Sequence, residues 1–107
     1  MPKRIGRYTL LMDNPVSIQG FAAVVGKKEG EGPLGPYFGH VFQDKTLGEK
    51  SWEKAESRLQ QEAVGRVLTK TSLSSKDIDF IVAGDLLNQC IGSTYGIQIY
   101  EIPFLGV

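Results

Sequence analysis

Scarcity says most about this chain. Among 107 residues there is one cysteine, Cys90, and one histidine, His40. A lone cysteine closes no internal disulfide and a lone histidine anchors no cluster, which excludes a disulfide scaffold and the usual Cys/His zinc sites. Neither sign of charge is in surplus, since twelve Lys and Arg balance twelve Asp and Glu. That balance argues against a binder of nucleic-acid phosphates and against electrostatic attachment to anionic lipid, both of which show a basic excess. Within the neutral total the short run Lys27-Lys28 stands out. No apolar stretch approaches the ~20 residues of a membrane span. The basic start, Met1 to Tyr8, is followed only by Thr9 to Met12 before Asp13-Asn14-Pro15, too short for a signal-peptide core. The expectation is a soluble, intracellular, reduced chain of one domain at most, and the apolar fraction of 41% with 22% charged residues excludes wholesale disorder.

What is present is uneven. Residues 26–50 are rich in glycine and hold Pro33 and Pro36, which sustain neither a helix nor a central strand. A loop this long is ordinarily functional or covered by something else. Before it, Ser17 to Val25 reads as a strand buried on both faces, with Gly20 marking a bulge or a close backbone approach.

After the loop, Ser51 is a good N-cap, and Trp52, Ala55, Leu59, Ala63 and Val67 recur at spacings of three and four. The spacing predicts an amphipathic helix over about residues 51–71, with Glu53, Lys54, Arg58, Glu62 and Arg66 on its solvated face. Trp52 reads as a core anchor for the loop, and Gly65 as a point of close packing. Ser74 and Asp77 stand at capping-box spacing. Ile78 to Gly84 reads as a buried strand, Gln89 to Tyr100 as a helix weakened by Gly92 and Gly96, and Ile102 to Val107 as a third strand. The fold class is α/β, in the order β-α-β-α-β with the long Gly-rich loop after the first strand. Such alternation points to a parallel sheet with right-handed crossovers. Two helices leave much of such a sheet bare, and the third strand stops where a turn and a helix are expected, so residues 1–107 read as the opening piece of a larger body.

Individual motifs carry little chemistry. Gly30-Glu31-Gly32-Pro33-Leu34-Gly35 fits G-x-G-x-x-G, but no strand precedes it directly and no helix opens from it, so it reads as a rigid surface loop. Asp85 sits just past the carboxyl end of the middle strand, where open α/β sheets take ligands; with Asn88 and Gln89 it offers polar contacts. Asp85 or Asn88 equally caps the next helix, and capping is the stronger reading. Cys90 in the first turn of that helix has no base beside it and reads as a packed, inert thiol. His40, between Phe38 and Phe42, reads as exposed or locally hydrogen-bonded. No catalytic residues and no cofactor are expected in this chain.

Four strings taken together say more: Glu29 to Gly35 (EGEGPLG), Lys50 to Glu56 (KSWEKAE), Ala83 to Gln89 (AGDLLNQ) and Ile102 to Leu105 (IPFL). In this order and spacing the chain resembles the stage V sporulation protein AD family of spore-forming bacteria, from about Asn14 to the last residue. That family looks like part of the thiolase and ketoacyl-synthase superfamily, with two similar α/β halves stacked in five layers. The resemblance makes this chain the N-terminal portion of such a thiolase-like domain. In the family the strand matching Ile102 to Val107 runs on into a turn carrying the nucleophile-position cysteine, which Cys90 does not match.

The resemblance implies a function in uptake of dipicolinic acid, as its calcium complex, into the developing spore and its release at germination. The role implied is binding rather than catalysis, with Asp85 and Asn88 near the mouth of the cleft and close to a homodimer interface. Membrane subunits of the same operon are the implied partners, nucleic acid is not, and the implied place is peripheral, on the cytoplasmic side of the forespore or spore inner membrane. Because a family member is considerably longer, this portion alone is expected to bind dipicolinate poorly. The alternatives are a piece of a ketoacyl-synthase or thiolase-type acyltransferase, and a small stand-alone α/β interaction module. The glycines at 92 and 96 suggest drift in a copy under relaxed constraint.

Overall fold

In a computed structural model that describes residues 2–85 and 91–107, three separate two-stranded pairings organise the chain. Strands β1 (Lys3–Ile5) and β2 (Thr9–Leu11) form an antiparallel hairpin, with Lys3 opposite Leu11 and Ile5 opposite Thr9. Strand β3 (Val24–Val25) lies parallel to β4 (His40–Val41), and between them the chain makes one helical turn, α1 (Lys27–Gly30), and a 3-10 turn at Gly35–Tyr37. The long helix α2 (Trp52–Thr71) follows. Strand β5 (Ile81–Ala83) then pairs in parallel with β6 (Phe104–Gly106), the helix α3 (Ile91–Ile97) and a 3-10 turn at Gln98–Tyr100 lying between them.

Helix α2 begins where its cap requires. Ser51 is extended, and its Oγ accepts the Lys54 N–H at 3.2 Å, satisfying one of the orphan donors of the first turn. It ends at Ser72, which takes the left-handed conformation usual for glycine (φ 57°), and Leu73 N–H donates back to Leu68 O. The Ser74–Asp77 capping box forms, with both reciprocal bonds in place.

Helix α3 crosses α2 at a contact made by glycines. A Cβ on Gly96 would fall on the Ser57 backbone carbonyl, and one on Gly92 would fall 2.9 Å from a Glu56 carboxylate oxygen. These two glycines therefore have a packing reason and need no relaxed constraint to explain them. Gly65 also proves close-packed, with the Tyr100 hydroxyl 3.0 Å from where its Cβ would be. Gly20 is approached by Thr71 and Val67 from the last turns of α2.

The expected single parallel sheet does not form among the described residues. The strand foreseen over 17–25 shortens to β3, which pairs with β4 out of the Gly-rich segment and not with β5. Closing the short connection through residues 26–39 costs less chain entropy than reaching β5. A continuous apolar run signals cover on both faces but does not name the strand that pairs with it. The strands foreseen over 78–84 and 102–107 contract to β5 and β6; of the helix foreseen over 89–100, the part within the described residues forms α3 with its 3-10 end. Trp52, expected in the core, is 57% exposed at the first position of α2.

The core is small. Among the described residues the buried apolar side chains are Ala55, Ile97 and Ile102. The β5–β6 pair turns Ile81, Ala83 and Phe104 partly inward, while Val82 and Leu105 on the other face are 60% and 52% exposed. Accessible surface is 8367 Å² for a mass of 11.7 kDa, against about 5,900 Å² for a compact monomer of that mass. The radius of gyration, 16.0 Å, exceeds the ~13 Å of a compact chain of this length.

Candidate functional site

The carboxyl ends of the two parallel strands β5 and β6 meet at Gly84, Asp85 and Val107. Ile81 N–H donates to Pro103 O and Val107 N–H to Ala83 O, each at 2.8 Å, so the pairing extends beyond the strand ends on both sides. Gly84 permits this approach, because a Cβ there would lie 3.0 Å from Val107 O. Its own carbonyl accepts a bond from Gln60 Nε2 of α2 at 3.3 Å, which ties the strand end to the long helix.

Asp85 follows directly and is half-buried. Its Oδ2 accepts the Ser93 backbone N–H at 3.0 Å, so the carboxylate caps α3 and fixes that helix against the end of β5. A negative group near the start of a helix also meets the positive end of the helix dipole. Ser93 is fully buried against α2, and its Oγ has no hydrogen-bond partner among the described residues. Asn88, the other residue singled out for ligand contact, lies outside the described residues, as do Gln89 and Cys90.

The glycines of the G-x-G-x-x-G string close a compact loop. Gly30 packs on Val41, and Gly35 lies on the backbone carbonyl of Gly30. The helical turn α1 ends on the first glycine of the string, and what opens from the last, Gly35, is a single 3-10 turn to Tyr37 and not a helix. His40 sits in β4 with its ring edge-on to Phe42, centroids 4.5 Å apart at 87°. The segment ends in a turn held by Asp44, whose carboxylate accepts the Thr46 and Gly48 N–H groups; those bonds hold its carboxyl below the ordinary range.

A second feature is an open groove of about 930 Å³ along the polar side of α2, walled by Phe21, Tyr37 and Tyr100 and crossed by Arg58, Arg66 and Lys70. Each cation already has a partner. Arg66 Nε donates to Glu62 Oε1 at 2.8 Å, Arg58 faces Glu49 at 3.8 Å, and Lys70 Nζ donates to Phe21 O at 2.7 Å while lying over the Phe21 ring. Tyr100 donates its hydroxyl proton to Gln61 O at 2.8 Å. Burial, and after it the charge of Glu62, raise the phenol pKa above its usual value, against an opposing hydrogen bond from the Gly65 backbone. Periodicity assigns these charged positions to a solvated face. The signal that could have found the groove is the row Arg58, Arg66, Lys70, whose spacings of eight and four keep all three near one side of a helix.

Fold and site together define a mixed α/β protein whose parallel pair β5–β6 ends in a capped, polar corner beside a long helix. The sequence profile of the stage V sporulation protein AD family matches residues 6–107. A relative described as stage V sporulation protein AD, from Bacillus subtilis (strain 168), is 38% identical over 103 residues. That alignment covers 96% of this chain and 30% of the relative, so the chain spans under a third of the relative's length. The chain belongs to the stage V sporulation protein AD family. None of the described helices is long and apolar enough to cross a membrane.

Proposed function

We propose that this sporulation-family chain forms the opening of a thiolase-like body that binds dipicolinic acid, as its calcium complex, and performs no acyl transfer. The observation that carries the reading is the corner where β5 and β6 end together: open α/β sheets take ligands at the carboxyl ends of their strands. Asp85 acts there as a positioning residue, holding α3 at the edge of the cleft through the Ser93 N–H. The bare face of Val82 and Leu105 is where a further layer of such a body would rest, since parallel strands are covered on both faces. In this reading the complete protein is a homodimer, works beside membrane subunits of its operon, and sits peripherally on the cytoplasmic side of the forespore or spore inner membrane.

The test is a hybrid in which this chain replaces the matching segment of the longer Bacillus subtilis relative, titrated calorimetrically with calcium dipicolinate. The hybrid is expected to bind as the parent does, and to release no free thiol from acyl-coenzyme A thioesters. A well-folded hybrid that ignores dipicolinate, or a parent that does so, overturns the ligand assignment. Thiol release would favour the acyltransferase alternative.

A further inference from the structure

We propose that the N-terminal hairpin is a docking surface for an anionic phospholipid bilayer. Residues 2–12 carry Lys3, Arg4 and Arg7 and no acidic residue. The rest of the chain therefore holds nine basic and twelve acidic residues, and the neutral total is the sum of a hairpin at +3 and a body at −3. The lipid attachment that the total argues against returns once the charge is divided by element.

The hairpin also exposes what a bilayer interface would bury. All six strand residues are exposed, and Ile5, Leu10, Leu11 and Met12 each keep about half or more of their surface in water. Tyr8, at the turn, is 88% exposed and has the Arg7 guanidinium over its ring at 5.5 Å. Arg4 shapes the turn by donating to Gly6 O at 3.1 Å and Arg7 O at 2.8 Å, while Gly6 supplies the positive φ of 67°. Cations, an aromatic ring and aliphatic side chains on one small element are the composition of segments that rest in the headgroup region. Lys3, Ile5 and Leu11 share one face of the hairpin. A lone two-stranded hairpin is marginal in water, so a surface that takes up Ile5 and Leu11 would also stabilise its fold.

Nucleic acid is the poorer occupant, because phosphate contacts leave Ile5 and Leu11, on the same face as Lys3, in water. A protein cover would have to supply acids against three clustered cations or bury them unpaired. The family profile begins at residue 6, so β1, with Lys3 and Arg4, lies outside the matched region. Each cation near an anionic leaflet is worth about a fivefold gain in partitioning, which puts the hairpin's charge on the order of a hundredfold.

The experiment is co-sedimentation of the whole chain with vesicles of phosphatidylcholine alone and of phosphatidylcholine mixed with phosphatidylglycerol. Binding to the anionic vesicles is expected to be on the order of a hundredfold tighter. The pair Lys3→Glu and Arg7→Glu should reduce it to the neutral-vesicle level, whereas Lys27→Glu with Lys28→Glu, an equal change of charge elsewhere, should largely preserve it. Circular dichroism confirms that α2 is intact in each variant. Equal binding to both vesicles, equal losses in the two double variants, or equally tight retention by duplex DNA at the same salt overturns the proposal. It stands apart from the dipicolinate reading, because vesicle binding and ligand binding can each fail while the other holds.

Discussion

The α2–α3 half and the N-terminal hairpin both lack cover, but in opposite ways. Helices α2 and α3 are in backbone contact through Gly96, and they hold Ile97 and Ser93 out of water. Beside them the outer face of β5–β6 lacks a covering layer, with Val82 and Leu105 in water. The hairpin has its own cross-strand bonds and one Arg-stapled turn, and every strand residue is exposed. The difference teaches that order in this chain follows close backbone approach more than apolar content. Residues 16–25 are more apolar than α3, yet Val16, Ile18 and Phe21 remain exposed for want of a partner layer.

The sharpest way to break that comparison is Gly96→Ala. Helix propensity alone would have alanine stabilise α3 by about 1 kcal/mol. The Ser57 carbonyl occupies the position of the new Cβ, so the helices must separate, and overpacking of this kind costs about 1–3 kcal/mol. Urea unfolding followed by circular dichroism should show net destabilisation, and a stabilised variant would mean that the crossing is looser than described.

Asp85→Ala comes next, at about 1–2 kcal/mol, because it removes a carboxylate cap from the Ser93 N–H. The same urea titration reads it. Tyr100→Phe should cost about 1 kcal/mol through loss of the bond to Gln61 O. It also carries a pH signature. The folded phenol ionises above the ordinary value of 10.0, so the folded state holds its proton more tightly than the unfolded one. The stabilisation is fully present below pH 10.0 and is lost as pH rises from there through the raised folded value. Unfolding midpoints measured across that alkaline range should fall more steeply for the parent than for Tyr100→Phe. The smallest effect is expected from deleting residues 2–12. With the strand residues exposed, the urea midpoint should hardly move, and a large drop would show that the hairpin supports the rest.

Much of the ordered half was legible in the residues themselves. Ser51 and the three-and-four spacing locate α2, Ser74 and Asp77 announce their capping box, and Gly20 and Gly65 mark close approaches that the structure contains. Asp85 was legible as a cap because it falls between a strand end and a helix. Other features depend on contacts that no local pattern encodes. Gly92 and Gly96 count against a helix by propensity and support one by letting α2 approach. The pairing of β3 with β4 depends on how residues 26–39 fold back, and the groove, although its row of cations is visible in the sequence, forms only where Phe21, Tyr37 and Tyr100 come against α2. Asn88, the second proposed contact, falls outside the described residues.

Amide hydrogen exchange on the whole chain tests the contrast between the two halves most directly. Amides of α2 facing α3, from about Ser57 to Leu68, should exchange slowly, and those of residues 2–19 should exchange close to the unprotected rate. Hairpin amides as protected as those of α2 in the absence of lipid would contradict the account.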